Sequence, residues 1–251
     1  MAKQDGIIPL KGTIDNLTFL KTQDGYQARK KNTVVKGRMA TDERYERVRE
    51  TMALFTSAAN AAKLLRVPLR PIAKNASDGR VTSRLSKTMQ AVIKADVTNP
   101  RGKKNVLDGE TELLTGFEFN LKGKLSSTFF PTYEATIDRA TGNAVVKLPA
   151  FVSKTMIASP AEATHYQLNV AGLEVDFEKG TTVSQFKRSE QMALTETEQA
   201  AFELGVTLTP NSAHPLFLVL GINFFIEDVG GNKPLKNKAF NALAIIKVSG
   251  V

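Results

Sequence analysis

From about residue 107 to its end, a chain of 251 residues places its apolar side chains at period two. No stretch of helical period in that region is long enough to cross between parallel strands. Leu113, Phe117, Phe119 and Leu121 alternate with Leu114, Glu118, Asn120 and Lys122, which predicts a half-buried strand. Phe129, Tyr133, Ala135 and Ile137 alternate with Phe130, Thr132, Glu134, Thr136 and Asp138 and predict a second. Leu216 to Ile226 is nearly continuously apolar, the pattern of a strand covered on both faces, and Phe240 to Val248 alternates beyond a Gly230-Gly231-Asn232-Lys233-Pro234 loop. Strands without crossover helices pair antiparallel, so residues 106–251 are expected to form an antiparallel β-sandwich. In 165–177 the apolar parity switches from Tyr166, Leu168 and Val170 to Leu173, Val175 and Phe177, which predicts a bulge or bend at Ala171-Gly172. Thr195-Glu196-Thr197-Glu198 reads as a capping box opening a short helix to Phe202.

The preceding residues follow other periods. Alternation between Gly12 and Lys31, interrupted by Asp24-Gly25, predicts a β-hairpin after a loose arm at residues 1–11. From Thr41, a candidate N-cap, the residues Tyr45, Val48, Met52, Phe55, Ala59 and Ala62 step by three and four, with Leu65 continuing the face. They predict an amphipathic helix ending before Pro68, docked on its own core in the favoured reading, with an intermolecular coiled-coil seam as the alternative. Val81, Leu85, Met89 and Val92 predict a second helix over Arg80 to Ala95, with Arg80, Arg84, Lys87 and Lys94 as a basic stripe beside the apolar one. The expected fold class is therefore α+β: an N-terminal β-hairpin and two helices, followed by an antiparallel β-sandwich. The expected divisions are 1–11 as a flexible arm, 12–105 as a basic hairpin and helical region, and 106–251 as the sandwich.

Charge divides at the same place. Residues 1–105 carry 22 basic and 9 acidic side chains (22 − 9 = +13), while 106–251 carry 12 and 16 (12 − 16 = −4). A basic end can meet a polyanion or the acidic end of another copy. The polyanion reading uses Arg80, Arg84, Lys87, Lys94, Arg101, Lys103 and Lys104, the last three in a turn-rich linker. The basic portion has only Phe19, Tyr26, Tyr45 and Phe55 as aromatics, so stacking on bases is not visible and non-specific phosphate contact is what remains.

The motifs that carry chemistry are missing. Cysteine and tryptophan are absent, which excludes thiolate nucleophiles, disulfides and cysteine-based metal sites and fits a reducing compartment. The two histidines, His165 and His214, have no partner at metal-ligand spacing. There is no G-x-S-x-G, no G-x-G-x-x-G and no G-x-x-x-x-G-K-[ST]. No catalytic residue, metal, cofactor or small-molecule substrate is expected, and the chain reads as a non-enzyme. No apolar run suits a signal peptide or a membrane span, so a soluble cytoplasmic chain with no membrane partner is expected.

The run Gly6-Ile7-Ile8 through Lys11-Gly12-Thr13-Ile14, then Leu17-Thr18-Phe19-Leu20-Lys21, Asp24-Gly25-Tyr26 and Arg29, resembles a family of uncharacterised proteins common in Bacteroidota. Their opening is similar to G-I-I-x-L-x-G-T-I-G-x-x-T-F-Y-K. A later R-x-R-E-N-x-x-E-F followed by K-L-L-R is matched by Arg47 to Phe55 and by Lys63-Leu64-Leu65-Arg66. The likeness covers about residues 6–70 and departs from the pattern at Asp15, Leu20 and Thr51. It implies a subunit of a cytoplasmic fibril or of a phage-like tubular particle, with no catalytic residues to carry over.

These readings converge on a self-assembling structural subunit of a filament or tube. In it, the basic arm and hairpin of one copy contact the acidic sandwich of the next through Lys3, Ile7, Ile8, Leu10 and Lys11. Three alternatives stay open: a nucleic-acid-binding or packaging protein, a phage virion or tail-tube component, and an enzyme of unrecognised type.

Overall fold

The computed structural model describes residues 2–4, 10–22, 25–31, 36–235 and 238–250. It is α+β, and it divides into two units, Met1–Arg49 and Glu50–Val251. In the first, β1 (Ala2–Lys3), β2 (Gly12–Ile14), β3 (Leu17–Thr22) and β4 (Gly25–Lys30) form a four-stranded antiparallel sheet in the order β1-β4-β3-β2. The hairpin expected around Asp24-Gly25 pairs Thr22 with Gly25 and Phe19 with Ala28, and Gly25 takes φ 102°. Residues 2–4 are not a loose arm: Ala2 and Lys3 pair with Ala28 and Gln27, and the Gln4 N–H donates to the Tyr26 carbonyl at 3.0 Å. Asp15, one of the departures from the resembled pattern, which has glycine there, sits at φ 47° in the turn joining β2 to β3. Asp is among the few side chains that tolerate this left-handed region.

The helix expected from Thr41 starts later. A short α1 (Lys36–Thr41) ends where the Thr41 hydroxyl donates to the Gly37 carbonyl. Asp42 then caps a 3₁₀ turn, Glu43–Tyr45, by accepting the Arg44 N–H, and the long helix α2 (Glu46–Arg66) follows.

Most of α2 belongs to the second unit, where α3 (Arg70–Ala73), α4 (Val81–Ala95) and α5 (Leu125–Thr128) follow it. Then come β5 (Glu134–Asp138), β6 (Asn143–Leu148), β7 (Phe151–Val152), α6 (Ser153–Met156), β8 (His165–Asp176), β9 (Thr181–Arg188) and β10 (Met192–Ala193). The chain finishes with β11 (Glu198–Gln199), β12 (Phe202–Thr207), β13 (Leu216–Asp228), β14 (Gly231–Pro234) and β15 (Ala242–Ser249). A six-stranded sheet is built on β13, which pairs antiparallel with β8 on one side and with β15 and β14 on the other.

Because side chains alternate, β13 needs two covers. Its Phe217 and Val219 join Ala58, Leu65, Leu85 and Met89 of the helices in one core. Its Leu218, Leu220, Ile222 and Phe224 join Ala144, Val146, Leu148, Leu204 and Val206 in another. Those last five belong to a three-stranded sheet in the order β12-β6-β5. The expected sandwich is thus the middle and far layer of three, and the helices close the near side.

This layering explains several departures. The parity switch in 165–177 is no bulge, because β8 pairs with β13 in unbroken register from Glu174 opposite Leu216 to His165 opposite Phe225. What switches is the cover: Tyr166, Leu168 and Val170 face the small sheet, and Ala171, Leu173 and Val175 face the helices. Gly172 allows the small sheet to approach, since a Cβ there would stand 2.7 Å from Val206 Cγ2. Within 113–122 only residues 116–119 pair, with the Gly116 N–H donating to the Ile245 carbonyl and the Phe119 N–H to that of Leu243, while Leu113 and Leu121 stay exposed. Phe129 and Phe130 lie outside β5, Phe129 forming only an isolated bridge with Ile157. No helix forms at 195–202: the Thr195 N–H donates to Ser153 Oγ, and Glu198 pairs with Val152.

On α2 the buried positions are Ala58, Ala61, Ala62 and Leu65, whereas Val48, Met52 and Phe55 of the expected face are 39%, 57% and 58% exposed. The shared core also places 50–105 with the sheets and moves the expected division at 105/106 to 49/50. Charge moves with it. Residues 1–49 carry 11 basic and 6 acidic side chains (11 − 6 = +5), and 50–105 carry 11 and 3 (11 − 3 = +8).

Phe217→Ala should cost about 3–5 kcal/mol in denaturant unfolding, because it opens the core on the helix side of β13. Met52→Ala and Phe55→Ala should each change stability by no more than about 0.5 kcal/mol.

Candidate functional site

The register of the first sheet sorts its side chains. Ile14, Leu17, Phe19, Tyr26 and Ala28 share one face with Lys21 and Lys30, while Thr13, Thr18, Leu20, Thr22, Gln27 and Arg29 take the other. Lys21 Nζ lies 5.4 Å from the centre of the Tyr26 ring, so part of the apolar face carries a cation. None of the described residues of 1–49 is buried; Ile14 is 61% and Leu17 47% exposed.

Of the five residues expected to make the contact, Lys3 is an exposed position of β1. Leu10 is 43% exposed and its N–H donates to Gln4 Oε1. Lys11 is exposed, and Ile7 and Ile8 lie outside the described residues. The residues that sequence reasoning passed over are Ile14, Leu17, Phe19 and Tyr26. Their alternation was visible, but the register that gathers them on one face of a four-stranded sheet was not.

The seven nominated cations do not form one track. Arg80 precedes α4 and its N–H donates to Asp78 Oδ1. Arg84 is committed to structure: Nη2 meets Asp78 Oδ2 at 2.6 Å, Nη1 donates to the Glu118 carbonyl at 2.6 Å, and the guanidinium lies 5.2 Å from the Phe117 ring. Lys87 shares with Arg84 and Lys124 a separate cleft of about 910 Å³. The structure brings together the other four, Lys94, Arg101, Lys103 and Lys104, around a cavity of about 780 Å³.

That grouping is organised by a buried carboxylate. Asp96, fully buried just after α4, accepts the N–H groups of Thr98, Asn99 and Asn105 and the Asn99 side-chain amide. Burial alone would raise its pKa. The Asn99 N–H and side chain, with the N–H groups of Asn105 and Thr98, outweigh that and hold the carboxyl down at about 2. Lys104 Nζ donates to the Lys94 and Asp96 carbonyls at 3.0 and 2.5 Å and so completes the C-terminal end of α4. Arg101 Nε pairs with Glu50 Oε2 at 3.0 Å. Between them Gly102, at φ 88°, passes so close to Glu50 that a Cβ would meet its Cγ at 3.0 Å.

Other polar groups cluster elsewhere in the second unit. His214 Nε2 is 3.7 Å from Asp176 Oδ2, but Ser212 Oγ donates to Glu174 Oε1 and accepts the His214 N–H, so no hydroxyl is aimed at the imidazole. His165 Nδ1 is 3.0 Å from Thr164 Oγ1. Arg139 donates to the carbonyls of Ser212, His214, Ser249 and Gly250 and ties the turn after β5 to the chain's last strand. Among the described residues no group of three or more His, Asp or Glu could hold a metal ion. No described helix is long and apolar enough to cross a membrane. Comparison with protein-family models, with curated proteins and with solved structures finds no match for the chain.

The Asp96 carboxyl is depressed from 3.8 in the unfolded chain to about 2, so its stabilising effect is complete above the unfolded value and is lost as pH falls through about 2. The amide resonances of Thr98, Asn99 and Asn105 should titrate together by NMR with a midpoint of about 2. A midpoint near 4 would mean that the carboxylate does not hold the loop.

Proposed function

We propose that the chain is a structural subunit of a homopolymer, and that its N-terminal sheet is completed by another copy. One observation carries this reading: a four-stranded sheet with a sorted apolar face in which no described residue is buried. Ordering about 30 residues costs on the order of 30–60 kcal/mol of backbone entropy. With no buried side chain among its described residues, the sheet itself removes too little hydrocarbon from water to offset that cost. A partner surface over Ile14, Leu17, Phe19 and Tyr26 supplies the missing burial.

Charge selects the surface. The apolar face carries Lys21 and Lys30, and residues 106–251, which supply every strand of the second unit, have an acidic excess (12 − 16 = −4). A contact between two different surfaces repeats from copy to copy and gives a filament or tube unless it closes. The cysteine-free composition suits a cytoplasmic polymer.

The full chain at micromolar concentration should form filaments, tubes or large oligomers by light scattering and negative-stain microscopy. Leu17→Asp with Phe19→Asp should abolish growth while leaving the second unit folded, because burying an unpaired carboxylate in a contact costs several kcal/mol. Deleting residues 1–31 should act the same way. A full chain that stays monomeric across concentrations overturns the reading, and a polymer indifferent to both changes places the contact elsewhere.

A further inference from the structure

The cavity beside the end of α4 is lined on one side by Ala53, Leu54, Ser57 and Gln90 and on the other by the loop that Asp96 organises. Four cations reach it, Lys94, Arg101, Lys103 and Lys104, against one carboxylate, Glu50, giving a local balance of 4 − 1 = +3. We propose that this cavity binds a small anion carrying two or more adjacent phosphates, either inorganic polyphosphate or the phosphate tail of a nucleotide.

Three features point to that chemistry. Two of the four cations are held in place, Lys104 by the Lys94 and Asp96 carbonyls and Arg101 by Glu50, and Gly102 between them packs closely on Glu50. Binding therefore spends little on ordering the loop. Arg101 gives Nε to Glu50 and is 62% exposed, and a guanidinium has five donors, so its outer edge can take a phosphate in the forked geometry while Lys94 and Lys103 act as point charges. A balance of +3 within one cavity matches several adjacent negative charges better than a single carboxylate.

The arrangement disfavours a long nucleic acid. A duplex needs cations spaced along a groove. On α4 the extension of the stripe is interrupted at Arg84, whose guanidinium is turned to Asp78 and to the carbonyls of residues 118 and 119. The seven cations of the stripe and linker thus resolve into a cavity with four, and the concave shape selects a compact ligand.

Calorimetry on the full chain with sodium tripolyphosphate tests the proposal directly. Tripolyphosphate should bind, and Lys94→Gln with Lys103→Gln should weaken it by about tenfold, whereas Arg80→Gln with Lys87→Gln, outside the cavity, should leave it within about twofold. ATP binding about tenfold tighter than tripolyphosphate would assign the ligand to nucleotides, with the base over Ala53 and Leu54; equal affinity would assign it to the phosphates alone. No binding of tripolyphosphate at about 1 mM overturns the proposal. So does an equal loss in the two double variants, or duplex DNA that binds more tightly than tripolyphosphate and is weakened most by the Arg80 and Lys87 changes. Those last two results would mean a diffuse basic surface instead of a site.

Discussion

The second unit depends on a strand that water must not touch on either side. β13 alternates Phe217 and Val219 with Leu218, Leu220, Ile222 and Phe224, and both sets are buried. An amphipathic strand is satisfied by one covering layer, whereas this one requires two. The helices, which precede the sheets in the chain, supply the near cover, and the small sheet β12-β6-β5 supplies the far one. Everything from Glu50 onward is thereby drawn into one unit, and residues that looked like a separate helical region become part of the sheet's core.

Polar groups tie these layers together at their margins. Asn120 donates from its side-chain amide to the Asn241 carbonyl at 2.8 Å, and Asn241 donates in turn to the Asn75 carbonyl at 3.0 Å, linking the segment after α3 to the start of β15. Asp78 accepts both the Leu121 N–H and the Arg84 guanidinium. Burial would raise the Asp78 carboxyl, but these bonds with that of the Arg80 N–H bring it below its ordinary value. A basic side chain on an amphipathic helix can therefore be a structural tie instead of part of a binding stripe. Arg84 is the case here.

What was legible in the sequence follows the reach of each signal. The period-two and period-three-to-four patterns located β3, β4, α4 and β15 well, and the continuous apolar run located β13, because both signals are local to the element. Leu113 to Lys122 misled because its alternation serves two purposes: Phe117 and Phe119 enter the core while Leu113 and Leu121 remain exposed. The apparent bulge at Ala171-Gly172 arose from a change of cover along a strand of unbroken register, which no pattern within that strand can distinguish from a bulge. The grouping of Lys94 with Arg101, Lys103 and Lys104 was half visible as a basic linker after a basic helix. The organising role of Asp96 was not, since it depends on N–H groups presented by a loop conformation.

The two surfaces left open to partners obey different physics, which keeps their roles separable. The apolar face of the first sheet is driven by removal of hydrocarbon from water, which added salt leaves intact or strengthens. The cavity at the end of α4 is driven by charge at a partly exposed site, where the screening length falls from about 10 Å at 0.1 M salt to about 3 Å at 1 M. Arg101 is 62% exposed, so its attraction for an anion is open to that screening. Under the two proposals, one device would hold an assembly together and the other would answer to a small anion. The cavity's cations come from α4 and the loop after it, within the unit whose two cores contain no residue of 1–49, so the proposed anion binding would not require the first sheet to be covered.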